Sequence, residues 1–227
     1  MRRPSRKGLD SLSSTESFRR RMVFWIVYIL DRDLALRSKA PYTQLDAETD
    51  VELPGLDDKD RIGMLTSSTG GISVNYLRKR VELARIQGRV YDILYSWRSH
   101  LLTPDQRLND ISLVAQMLSE WRGTIPAELL HPGGLFQCFS GTPAFLVMDM
   151  YNRHLECLFR IHDIFSFDDS WLGRTHCYLS PAVIELGGDE VDGKLVKSGL
   201  APLPEAWGDC IQYGRTCLEL SVFGNFT

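Results

Sequence analysis

Hydrophobic and polar positions group the chain into five stretches of helical period, separated by segments rich in Pro, Gly and Asp. The first starts at Ser13, where Ser-x-x-Glu with Glu16 reads as a capping box, and runs to about Lys39, just before Pro41. Its apolar block, Met22 to Leu30, stands between Arg19-Arg20-Arg21 and Asp31-Arg32-Asp33. Phe18, Met22, Trp25 and Ile29 make one apolar row; Val23, Ile26, Val27, Leu30 and Leu34 make a second. Together the rows cover most of the circumference, which predicts a helix buried on several sides. A membrane span needs ~20 apolar residues, about twice what this run supplies.

The second stretch spans about Ser73 to His100. Leu77, Val81, Ala84, Gly88, Tyr91 and Tyr95 form one face, widened by Leu83, Ile86, Val90, Leu94 and Trp97. Thr103-Pro104 caps a third helix with a core row of Leu108, Ile111, Ala115, Leu118 and Trp121, closing before Pro126. Pro132-Gly133-Gly134 reads as a break. Thr142-Pro143 opens a fourth helix to about Phe165, with Phe145, Met148, Asn152, Leu155 and Phe159 on one side. Leu203-Pro204 opens a last one containing Trp207, Cys210, Ile211, Cys217 and Leu218. Residues 166–203 read as an irregular excursion, and no period-two run competes. The loop from Ala40 to Asp60 reads as ordered over the helices, because Val51 and Leu53 alternate with Glu52 and Pro54. The expectation is an all-α domain over 13–227 behind a basic, flexible 1–12, with both ends cut from a larger helical body.

Charge and composition change this picture little. A formal net charge of −3 excludes nucleic-acid binding by bulk electrostatics. Arg2, Arg3, Arg6 and Lys7 form a basic cluster, read as a solvated tail in preference to a nuclear-localisation or DNA-backbone element. Five scattered cysteines, Cys138, Cys157, Cys177, Cys210 and Cys217, argue against a disulfide framework and for a reducing compartment. None sits in a Cys-x-x-Cys pair, as a structural zinc site would need. No apolar segment near Met1 reads as a secretory signal.

Candidate chemistry is sparse. Asp31 and Asp33, two apart on a helix, do not face each other and so cannot act as a carboxylate pair; ion pairs with arginines suit them better. His154 and Cys157 share a face at i, i+3, where a metal is conceivable but a core cysteine with a surface histidine is preferred. Gly133-Gly134 and Gly187-Gly188 lack the Lys-Ser/Thr of a phosphate loop, and Asp168-Asp169 lacks a second acidic cluster. Trp25, Trp97, Trp121 and Trp207 read as core, with an interhelical ligand pocket as the alternative. No residue is assigned a catalytic, cofactor-binding or metal-binding role.

One ordered combination of residues carries more. Phe24-Trp25-x-x-Tyr28-x-x-Asp31-Arg32, then Pro41, then Asp50-Val51-x-Leu53-Pro54, resembles the middle homology (regulatory) region of fungal zinc-cluster transcription factors. Leu118-x-x-Trp121 followed by Ile125-Pro126 is similar to that family's closure of a later helix, and Met150-Tyr151-Asn152 to Phe159-Arg160 to its Tyr-Asn helix. The resemblance covers Ser13 to about Phe165 well and Leu203 to Leu220 loosely. Two departures stand out. Ser38-Lys39-Ala40-Pro41 replaces a Gly-Arg-Pro-like turn, and Gly214 stands where alanine is usual. The Cys-x2-Cys-x6-Cys run of the family's DNA-reading module is not in this sequence.

The resemblance implies a non-enzymatic regulatory domain in the nucleus. It implies contacts with other proteins or a small effector, DNA binding only through a zinc cluster outside this chain, no cofactor in the chain itself, and no membrane. The competing reading is a helical small-molecule-binding protein or enzyme of fungal metabolism.

Overall fold

A computed structural model describes residues 14–55, 63–68 and 70–163, and the helical positions 211–212, 214–215 and 218–219. The basic N-terminus and the excursion over 166–203 lie outside the described residues. The elements are α1 (Ser14–Ser38), β1 (Met64–Thr66), β2 (Ser73–Asn75), α2 (Tyr76–Leu94), α3 (Pro104–Gly123), α4 (Pro132–Cys138) and α5 (Gly141–Asp163). Turns of 3-10 helix occupy Asp46–Glu48, Trp97–Leu101 and Ala127–Leu130. The protein is mostly helical, as the periodicity predicts.

The helix buried on several sides is α2, which packs against α1, α3 and α5. One face meets α1 in a cluster of Met22, Trp25, Tyr28, Ile29, Leu77, Val81 and Ala84, closed by Val51 from the loop. The other face meets α3 and α5 through Leu83, Ile86, Val90, Val114, Leu118, Val147, Met150 and Ile161. Two of the helices, α2 and α3, start where a side chain replaces a missing backbone partner. Asn75 accepts the Arg78 N–H at 3.0 Å. Thr103 and Gln106 form a reciprocal capping box behind Pro104. Chain reversal before β1 needs Gly63: its φ is +80°, and a Cβ there would lie 2.6 Å from that of Leu77.

The fold departs from the sequence expectations in five places. First, α1 buries one side only: its second apolar row, Val23, Ile26, Val27, Leu30 and Leu34, is exposed, because its neighbours among the described residues all lie on the Trp25 side. Second, Ser73–Asn75 is a strand, paired antiparallel with Met64–Thr66. Strands of three residues are too short to leave a period-two signal. Third, α2 ends at Leu94, and Trp97 beyond it is 78% exposed. Leu108 on α3 is also exposed. Fourth, Pro132-Gly133-Gly134 opens the short α4 instead of breaking the chain, with Pro in its first turn. Fifth, α5 turns Ala144, Val147, Met150, His154, Cys157 and Ile161 inward, and leaves Phe145 and Phe159 exposed. The row without phenylalanine is the one that faces the core shared with α2 and α3.

Candidate functional site

The motif residues of α1 converge on the loop that follows it. Tyr28 and Arg32, one turn apart, point the same way. The Arg32 side chain is fully buried. Its guanidinium lies 3.4 Å from the centroid of the Tyr42 ring and 4.8 Å from that of Tyr28. One nitrogen donates to the Gln44 carbonyl at 2.9 Å, to Asp46 Oδ1 at 2.9 Å and to the Tyr28 hydroxyl at 3.3 Å. Tyr28 in turn donates to Asp46. Gly88 on α2 backs this group: a Cβ there would stand 3.1–3.2 Å from the guanidinium. A planar, always-charged guanidinium suits a site that needs stacking and hydrogen bonding at once.

Neighbouring motif residues hold the same loop at other points. Asp31 accepts the Thr43 N–H, the Thr43 hydroxyl and the Gln44 N–H, all at 2.9–3.0 Å. Trp25 is buried and donates its ring N–H to the Glu52 carbonyl at 2.9 Å. Phe24, half-buried, stands edge-on to Trp25 with centroids 5.0 Å apart. From α2, Asp92 accepts the Tyr42 hydroxyl at 3.0 Å, and Arg78 donates to the Pro54 carbonyl at 3.1 Å. Pro54 is buried, Leu53 packs half-buried on the α1–α2 cluster, and Pro41 and Asp50 are exposed. The loop expected to lie ordered over the helices does so from Ala40 to Gly55; its remainder to Asp60 lies outside the described residues.

Burial sets the protonation in this clamp. It pushes the Tyr28 hydroxyl well up, helped by the hydrogen bond to Asp46, and it raises Tyr42 and Asp92. For Arg32 burial opposes the charge, yet Tyr28 and Asp46 hold its pKa above the ordinary value.

Asp33 turns away from Asp31, into a polar layer between α1, α2 and α5. It meets Arg80 at 2.8 Å, Gln87 at 2.7 Å and Arg153 at 3.7 Å. Asp149 pairs with Arg153 at 3.1 Å, and Glu156 with Arg160 at 3.4 Å. The Asp-Arg-Asp triplet thus serves three structural ends: Asp33 makes the expected ion pair with an arginine, while Asp31 instead accepts hydrogens from Thr43 and Gln44.

Trp121 is buried, donates to the Lys79 carbonyl at 3.0 Å and stacks on His154 at 5.3 Å. Pro126, half-buried, precedes the turn at Ala127–Leu130. His154 is a correction: it is 3% exposed, not a surface residue, and burial pushes its pKa down to about 4 against a hydrogen bond to the Leu118 backbone. Cys157 is core, its thiol pushed well up by burial. Among the described residues no three His, Cys, Asp or Glu side chains gather to hold a metal.

Tyr42, Asp46 and Asp92 complete the clamp without having been singled out in the sequence, and Gly88 was read there only as part of an apolar face. One signal pointed to two of them: an arginine at the end of an apolar block, buried with it, needs a carboxylate and a flat partner, and the loop offers both at Asp46 and Tyr42. The clamp holds backbone; it presents no nucleophile or acid–base pair to solvent.

Residues 1–123, which include the whole clamp, match the family described as the fungal specific transcription factor domain. The chain belongs to that family. Within it, the chain is similar to an ABC-transporter-regulating transcription factor of Aspergillus oryzae, 34% identical over 168 residues, covering 74% of this chain and 19% of the relative. The corresponding factor of Aspergillus fumigatus is 33% identical, covering 74% of this chain and 18% of the relative. The Fusaridione A cluster transcription factor fsdR of Fusarium heterosporum is 30% identical over 123 residues, covering 53% of this chain and 22% of the relative. The chain thus spans about a fifth of the length of these relatives. No solved structure matches it. In this fungal transcription-factor domain, Gly214 leaves room for the usual alanine: a Cβ there would sit 3.7 Å from the Phe159 ring. No helix among the described residues is long and apolar enough to cross a membrane.

Proposed function

We propose that this domain regulates DNA-templated transcription in the nucleus without catalysis, through contacts with other proteins or a small effector. DNA would be bound by a zinc-cluster module outside this sequence. The described cysteines do not fit such a cluster: Cys157 is buried, Cys138 half-buried, and they lie on different helices. No zinc-dependent step is therefore assigned to this chain. The observation that carries the proposal is the family match over α1, the loop, α2 and α3, whose motif residues build a structural clamp.

A reporter assay tests it. The chain is inserted between a heterologous DNA-binding module and an activation segment, and output is compared with a disordered spacer of equal length. The domain is expected to change output several-fold; equal output would count against a regulatory role. The isolated chain is expected to give no sequence-selective, salt-resistant gel retardation.

A further inference from the structure

We infer that the outer face of α1 is a docking surface for an acidic amphipathic helix of another protein. This deepens the regulatory reading and rests on it, by naming the class of partner. The face consists of Val23, Ile26, Val27, Leu30 and Leu34, exposed by 57%, 50%, 48%, 53% and 64%. Their spacing of i, i+3, i+4, i+7 and i+11 makes one continuous stripe along the helix. Exposed side chains of this kind are ordinary singly; an aligned row of five is the mark of a binding face.

Charge at the ends of the stripe selects the occupant. Arg19 and Arg37 are eighteen residues apart. That is five full turns, so both lie at one angle of the helix, about 27 Å from each other. Both are exposed, and Arg37 reaches its own carboxylate neighbour, Glu156, only at 4.0 Å. The acidic residues of the same helix are committed elsewhere. Asp31 holds the loop, Asp33 holds Arg80, and Glu16 pairs with Arg20 at 2.9 Å. The surface is therefore an apolar row with a cation at each end.

A second copy of the chain fits this surface badly. Antiparallel pairing sets Arg19 against the other copy's Arg37, and parallel pairing sets like against like. A helix of about five turns fits both features if it carries apolar residues at i, i+3 and i+4 and a carboxylate at each end.

The test uses the full 227-residue chain. The probe is a fluorescein-labelled eighteen-residue helical peptide with leucines at i, i+3, i+4 and i+7 and glutamates at both ends. The control has lysine for each glutamate. Fluorescence anisotropy should show the acidic peptide binding at least about 10-fold more tightly than the basic one, with the preference falling as salt rises. Ile26→Glu with Leu30→Glu alters solvent-exposed positions and should abolish binding while the thermal melt stays unchanged. Arg19→Glu with Arg37→Glu should reverse the preference between the peptides.

Equal binding of the two peptides, or unaltered affinity in the stripe variant, would overturn the inference. So would a dimer in sedimentation that the stripe variant dissolves, or capture by phosphatidylserine vesicles that exceeds capture by the peptide. Failure here with a positive reporter assay leaves the regulatory reading standing and removes only this partner class.

Discussion

At the scale of single residues, apolar side chains and polar handles cooperate at the same positions. Trp25 buries its ring between α1 and α2 and gives its N–H to the Glu52 carbonyl. Trp25→Ala removes both, and should cost on the order of 3–5 kcal/mol in urea unfolding. His154 behaves differently, because its cost depends on pH. Its folded pKa of about 4 lies below the ordinary 6.5. The unfolded chain therefore binds the proton first, and stability is lost as pH falls through 6.5 towards 4, by up to about 3 kcal/mol. The Leu118 carbonyl partly offsets this and nearby Arg122 adds to it. Asp149 and Asp92, held up by burial, act in the opposite sense at lower pH. Unfolding measured at pH 7 and pH 5 should show the loss, and His154→Phe should flatten it.

At the scale of elements, helix boundaries follow local chemistry. The Thr103-Pro104 cap and the Thr142-Pro143 start were legible because their signals lie within four residues. Which face each helix buries was less so. Both rows of α1 are apolar, and both rows of α5 offer large side chains; only the neighbours decide, and they come from distant sequence. The clamp was half legible for the same reason. Trp25, Tyr28, Asp31 and Arg32 stood out in one helix, while Tyr42, Asp46 and Asp92 gain meaning only when the loop and α2 fold back. The end of α1 carries a prediction of its own. Lys39 has φ +55°, left-handed backbone that favours glycine, and the Ala40 N–H returns to the Ala35 carbonyl at 3.2 Å. The helix thus ends in a left-handed turn without a glycine. Lys39→Gly should relieve this strain and lose a cation–ring contact with Tyr95 at 5.2 Å. The net gain should be about 0.5–1 kcal/mol in a thermal melt.

At the scale of the whole molecule, α2 is the axle: α1 and its loop lie on one side, α3 and α5 on the other. The two sides are joined through Asp33 of α1, which meets Arg80 on α2 and Arg153 on α5, so they should unfold together in one transition. The loop over α1 has another consequence. A stretch with so little regular structure is ordinarily where a protease cuts first. Here Arg32, Asp31 and Trp25 each hold it, so a Glu-specific protease should reach Glu48 only when all three let go. Arg32→Met keeps an apolar filler against Tyr28 and Tyr42 but gives up the carbonyl and carboxylate contacts. Cleavage at Glu48 should then quicken about tenfold or more, while the melting of the helices shifts far less. Digestion rate would so become a gauge of whether the loop is latched, readable in crude extracts without unfolding the protein.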